Sequence, residues 1–119
     1  MAIHNDLGRL GESLAVGYLL ENNYVILERN WRFHKAEIDI IAKKEAQIII
    51  VEVKTRNSNF FGDPQSVVTP EKIKLLLKAA NQYLVSNHIP LEARFDILAI
   101  IKNKSTQEIT HFKDACYHF

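Results

Sequence analysis

Hydrophobic and polar positions divide the chain into seven segments. Residues 6–21 place Leu7, Leu10, Leu14, Ala15 and Tyr18 at helical spacing. Asn5 precedes them as a candidate N-cap, and Asn22-Asn23 suit a left-handed exit. Gly8 and Gly11 fall on the apolar side, where a missing side chain lets another backbone come close. On a wheel of about 100° per residue Glu12 lies at the stripe's edge, beside Gly8 and Leu19, and is expected to be half-buried. Residues 24–33 (YVILERNWRF) are rich in β-branched and aromatic types and predict a strand kinked near Asn30. Residues 37–42 and 47–54 predict two more strands, with the polar Lys43-Lys44-Glu45-Ala46 between them as a tight hairpin.

Residues 57–68 are expected to form a loop around Phe60-Phe61-Gly62-Asp63-Pro64. Thr69-Pro70-Glu71 then combines a capping hydroxyl, a proline at the first helical position and a carboxylate, which starts a helix. That helix sets Ile73, Leu76, Leu77, Ala80 and Leu84 on one face and Lys72, Lys74 and Lys78 elsewhere, and it stops near Asn87, before Pro90. Residues 94–101 (RFDILAII) predict a strongly apolar strand and 107–112 a weaker last one. The first three strands can form an antiparallel meander. The connection through the second helix is long enough for a right-handed parallel crossover. The expected fold class is α/β, a mixed β-sheet flanked by helices.

A length of 119 residues fits a single domain, 1–119. An apolar fraction of 47% with 24% charged residues is that of a soluble globular chain. Fifteen basic against 14 acidic residues leave a net charge of +1, so the total charge announces no polyanionic partner and excludes none. The single cysteine, Cys116, rules out an internal disulfide and reads as a small apolar filler in a reducing compartment. The N-terminal segment is polar where a signal peptide needs an apolar run, and no run is long enough for a membrane span. A cytoplasmic protein with no membrane partner is expected.

The unusual feature is acid set into apolar strand. Glu37 and Asp39 interrupt an isoleucine-rich segment, and Glu52 and Lys54 end another. Ionised carboxylates rarely enter a core unless paired, hydrogen-bonded or holding a metal. Side chains alternate along a strand, so Glu37, Asp39 and Ile41 should share one face, and Ile48, Ile50, Glu52 and Lys54 another. A turn at Lys44-Glu45 sets Asp39 opposite Ile50 and diagonal to Glu52; a four-residue loop sets Asp39 directly opposite Glu52. Either way the two carboxylates stand on one face, about 4.5–8 Å apart at Cβ, close enough to share a cation. In the chemical reading Asp39 and Glu52 hold Mg²⁺ or Mn²⁺, the Val53 carbonyl adds a ligand, and Glu12 completes the ring if the first helix packs on this face. Lys54 then positions the attacking water or stabilises the anionic transition state. In the structural reading Lys54 neutralises Glu52 and Asp39 caps a turn. Three carboxylates buried with one lysine leave negative charge that favours the cation.

The segments GRLGESLA (8–15), ERNWR (28–32), EIDIIA (37–42), VEVKTR (51–56), FGDPQSVVTPEK (61–72) and RFDILAI (94–100) resemble the bacterial YraN-like family over nearly the whole chain. The resemblance implies a restriction-endonuclease-like fold of the PD-(D/E)xK superfamily, near the Holliday-junction resolvases. By it, Asp39 takes the place of the metal-binding aspartate, Glu52 and Lys54 that of the (D/E)xK pair, and Glu12 that of the acid on the first helix. Two departures are visible: Ala36 stands where the family usually has glycine, and Ile38 where the superfamily has proline.

The expected function is a Mg²⁺-dependent endonuclease acting on DNA, at branched or damaged sites. The rival is a nucleic-acid-binding accessory module that keeps the fold without cutting; a third reading is a protein-interaction domain with ordinary ion pairs. Glu37 is expected to support the acids or to pair with a strand-edge cation. Arg56 is a candidate phosphate ligand, as are Lys72, Lys74 and Lys78, against the alternative of a solvated surface. Phe60 and Phe61 could stack on unpaired bases or fold back on the core. Gln65 is a weak candidate for substrate contact, and Trp31 reads as packing. The five histidines lack zinc-ligand spacing, and no P-loop or Gly-x-Ser-x-Gly is present. A homodimer addressing two strands is left open.

Overall fold

The computed structural model describes residues 3–57 and 69–115. In chain order it holds α1 (Ile3–Glu21), β1 (Val25–Phe33), β2 (Ala36–Lys44), β3 (Gln47–Arg56), α2 (Pro70–Ser86), β4 (Glu92–Lys102) and β5 (Gln107–Phe112). The five strands form one sheet in sequential order. β1–β2 and β2–β3 pair antiparallel, β3–β4 parallel and β4–β5 antiparallel. This is the expected meander followed by a crossover through α2, in a restriction-endonuclease-like arrangement.

The helices cover opposite faces, and this explains the isoleucine runs. Ile48, Ile50, Phe95 and Ile97 pack with Ile73, Leu76, Ala80 and Tyr83 of α2. Ile49, Val51, Leu98 and Ile100 pack with Ala15 and Leu19 of α1. A strand covered on both sides needs apolar residues at every position, as β3 has from Ile48 to Val51.

α1 begins at Ile3, so Asn5 lies inside the helix and not at its cap. Its buried stripe is Gly11-Ala15-Leu19, four residues apart, which turns Leu10 outward to 41% exposure. Asn23 makes the left-handed exit at φ 69°. Gly11 is required by packing: a Cβ there would stand 2.8 Å from the Thr55 Cβ, so the missing side chain lets α1 rest on β3. Thr69 caps α2 through the Lys72 N–H, with Pro70 at the first turn, as expected. The buried face of α2 uses Ala79 and Tyr83 in place of Leu77, which is 42% exposed. Trp31 is packing, stacked on Phe33 and edge-on to Tyr83.

A second buried acid was not singled out from the sequence. Asp96 is fully buried on the α1 side. Arg94 donates to both its oxygens at 2.8 Å. His111 Nε2 lies 2.7 Å away, and the Asp114 N–H donates at 3.0 Å. His111 Nδ1 in turn meets the Tyr18 hydroxyl at 2.9 Å. Burial alone would raise the Asp96 carboxyl; bonds from His111, Arg94 and Asp114 reverse this and hold it below the usual carboxylate range. The network joins α1, β4 and β5, and it is a structural lock with every partner satisfied. Asp96→Ala leaves the Arg94 charge without its partner and is expected to lower stability by about 3–5 kcal/mol in urea unfolding. Gly11→Ala should cost about 1–3 kcal/mol through overpacking against Thr55.

Candidate active site

The hairpin between β2 and β3 turns at Glu45-Ala46, with Lys44 paired to Gln47 and Ile40 to Val51. The turn therefore lies one residue beyond the Lys44-Glu45 alternative, with Glu45 taking φ 55°, and the register is that of the other alternative, which sets Asp39 opposite Glu52. One step past the last pair, Asp39 faces Glu52 directly. The Val53 N–H donates to Asp39 Oδ2 at 2.8 Å, which anchors the carboxylate to the neighbouring strand.

Around this pair lies an open cavity of about 340 Å³ lined by Leu7, Gly8, Glu12, Asp39, Glu52, Val53, Lys54, Thr55, Arg56 and Lys72. It is lined by the C-terminal half of β3, Glu52 to Arg56, toward the end where the parallel strand hands over to its crossover and where open α/β sheets usually bind ligands. The first turn of α2 opens beside it. Three elements thus deliver the residues: α1 brings Glu12, the hairpin brings Asp39, Glu52 and Lys54, and α2 brings Lys72.

Glu52 is almost inaccessible, with its side chain 4% exposed. Lys54 Nζ stands 3.3 Å and Lys72 Nζ 2.5 Å from its Oε2. Burial lowers Lys72; the hydrogen bond to Glu52 and the charges of Glu52 and Asp39 outweigh it, and the net direction is upward. Burial, then the facing Glu52 charge, push Asp39 up to about 7, against the Val53 N–H and with a smaller push from Glu12. Burial is the larger cause and repulsion between the facing carboxylates the second, while both lysines pair with Glu52 and leave Asp39 with the Val53 N–H.

The other expected residues divide. Arg56 lines the cavity and donates to the Thr55 carbonyl at 2.9 Å. Glu37 is not among the lining residues; it pairs with Arg32 at 3.2 Å on the outer part of the hairpin. The reason is local. Ile38 packs on the α2 side and Ile40 on the α1 side, so the alternation slips at Asp39, across from Asn30 at φ 53°. Glu37 and Asp39 therefore do not share a face. Lys72 leaves the solvated face considered for it and enters the cavity, whereas Lys74 and Lys78 remain exposed. Gln65, Phe60, Phe61 and Cys116 lie outside the described residues.

Among the described residues no three His, Cys, Asp or Glu side chains close on one point tightly enough to hold a metal. Asp39 and Glu52 form a facing pair, and Glu12 joins them in the cavity without completing a three-carboxylate group.

Fold and cavity define a small α/β domain in which a facing acid pair, Glu52 buried and Asp39 half-buried, meets two lysines toward the end of a parallel strand. The chain belongs to the family described as Uncharacterised protein family UPF0102, which it matches over residues 11–100. It is 58% identical to a UPF0102 protein of Flavobacterium psychrophilum, with both chains covered in full. It is 51% identical to one of Christiangramia forsetii, again over both full lengths. A UPF0102 protein of Bacteroides thetaiotaomicron is 44% identical over 98% of this chain and 97% of its own. These relatives extend the YraN-like resemblance to the whole chain.

The raised Asp39 carboxyl has a consequence for stability. Between pH about 4 and 7 the folded protein keeps a proton that the unfolded chain releases. Stability should therefore fall as pH rises through that window, by up to about 1.4 kcal/mol per pH unit. Asp39→Asn, whose amide oxygen can still accept from Val53, should flatten the slope and melt higher than the native protein at pH 8 in metal-free buffer.

Proposed function

We propose that the chain is a divalent-metal-dependent nuclease that hydrolyses DNA phosphodiesters, at branched or damaged DNA. The observation that supports it is the convergence of Glu12, Asp39, Glu52 and Lys54 from two elements on one open cavity. Structural ion pairs would not need an open cavity.

The donor set fits Mg²⁺ or Mn²⁺: two facing carboxylates, with the Val53 carbonyl and Glu12 as further oxygens at the same cavity. When bound, such an ion makes water a better nucleophile and offsets charge on phosphoryl oxygens. The chain's own groups do the rest. Asp39, held by the Val53 N–H, keeps its carboxylate facing Glu52. Lys54, fixed against Glu52, directs a proton donor and positive charge to the place where the attacked phosphate gathers negative charge. Lys72 and Arg56 stand at the cavity as phosphate ligands, and the start of α2 adds favourable potential for an anion. Gly8, with nothing near a would-be side chain, leaves the α1 wall open to substrate.

A second reading has its own support. The Lys72 ammonium already sits on Glu52, and the three acids do not close into one group. Both features suit a nucleic-acid-binding module that does not cut.

The test is cleavage of junction, flap, single-stranded and duplex DNA with Mg²⁺ or Mn²⁺. Asp39→Ala and Glu52→Ala should each abolish cutting while circular dichroism stays native, and Lys54→Ala should slow it by about 10²–10³-fold. Salt-dependent binding with no metal-dependent cutting of any substrate establishes the binding module instead.

A further inference from the structure

A second cavity, of about 410 Å³, lies between the β1–β2 turn and α2, lined by Phe33, His34, Lys35, Ala36, Leu75 and Lys78. Its composition is unlike that of the acidic cavity. Apolar and aromatic surface forms the walls, and Leu75 is left 49% exposed within it. The His34 ring stands edge-on to Phe33 at 4.2 Å between centroids. Phe33 is backed in turn by Trp31, nearly parallel at 8°. Two exposed ammoniums, Lys35 and Lys78, flank the groove, and neither forms a salt bridge among the described residues.

The groove also has a fixed relation to the acids. Lys72, Leu75 and Lys78 are three residues apart on α2, each a neighbour of the next, and wind around the helix by about 60° per step from the acidic cavity to the groove. Six residues of helix span about 9 Å, the length of two or three stacked nucleotides at ~3.4 Å each. On the other wall, Ala36 is three residues before Asp39. Aromatic rings for a base face, with cations spaced for the phosphates on either side, are the chemistry of single-stranded nucleic acid binding. A duplex, whose bases are stacked inward, gives such a groove nothing to hold.

We propose that this groove takes an unpaired nucleobase of DNA, adjacent to the phosphate presented to Glu52 and Asp39, so that the substrate carries a single-stranded segment at the site. The inference rests on the nuclease reading for its orientation and narrows that reading to DNA with unpaired bases. His34 holds its ring there at φ 56°, a conformation that a glycine adopts without strain.

The experiment measures binding, not cutting. A fluorescein-labelled oligo(dT) of about twelve nucleotides and a duplex of equal length are titrated with the full chain in EDTA, followed by anisotropy. The native protein should favour the single strand. His34→Gly, which removes the ring without straining the turn, and Lys78→Ala should each weaken oligo(dT) binding about tenfold. Lys78→Ala should also reduce the slope of log affinity against log salt by about 0.7. Lys43→Ala, exposed beside the β2–β3 turn at the opposite end of the sheet, should change neither value. Melting temperatures within a few degrees of native confirm that the variants fold. Equal affinity for duplex and single strand, or native affinity in both variants, overturns the groove proposal whether or not the protein cuts. The expected binding losses without metal-dependent cleavage of any DNA would retain the groove and remove the hydrolytic reading.

Discussion

Burial of β3 on both faces is the constraint on which the site depends. From Ile48 to Val51 the strand can carry only apolar side chains, because α1 and α2 close over it from opposite sides. Polar chemistry is confined to the strand's end, where both helices leave room. Glu52 is the first residue past that limit, still nearly inaccessible yet open to the cavity. Its ion pairs with Lys54 and Lys72, and its repulsion of Asp39, follow from placing a carboxylate at that boundary.

The helices do more than cover the sheet. Gly11 lets α1 settle onto Thr55, and the same contact brings the next residue, Glu12, to the cavity wall. On the opposite face, the Thr69 cap and Pro70 fix where α2 begins and thereby place Lys72 against Glu52. The Asp96 network ties α1, β4 and β5 together on the side away from α2, and it steadies the helix that carries Glu12. Half-buried Asp39 and fully buried Asp96 thus have different roles in one sheet. Asp96 is held ionised by surrounding donors, whereas Asp39 has one backbone donor and two acids nearby.

Much of this was legible in the sequence. Period-two and helical spacing gave the element order, the meander and the crossover, and the Glu-x-Lys ending a β-branched run marked Glu52 and Lys54. The misses have physical causes. Strict alternation placed Glu37 beside Asp39, but the left-handed Asn30 across the ladder coincides with a slip that separates them. Helical spacing with Ile73 puts Leu77 on the apolar face, whereas the docked helix is turned so that Ala79 and Tyr83 are buried, and Tyr83 reaches the core with its ring and bonds Glu28 with its hydroxyl. Lys72 is a candidate phosphate ligand from the sequence, but its ion pair with Glu52 is not visible on a wheel, since only the docking of α2 beside β3 brings it to an acid. Asp96 carried the same signal as Asp39, an acid in an apolar strand, with Arg94 two residues earlier on the same face.

The two-residue turn at Glu45-Ala46 has one more implication, for change of length. Because side chains alternate, inserting or deleting a single residue there would rotate all of β2 by half a revolution relative to β3, exchanging its inward and outward rows. Asp39 would then face away from Glu52, and the isoleucines that seal one layer would be presented to the other. The spacing of these two acids along the chain acts as a ruler that the architecture cannot stretch.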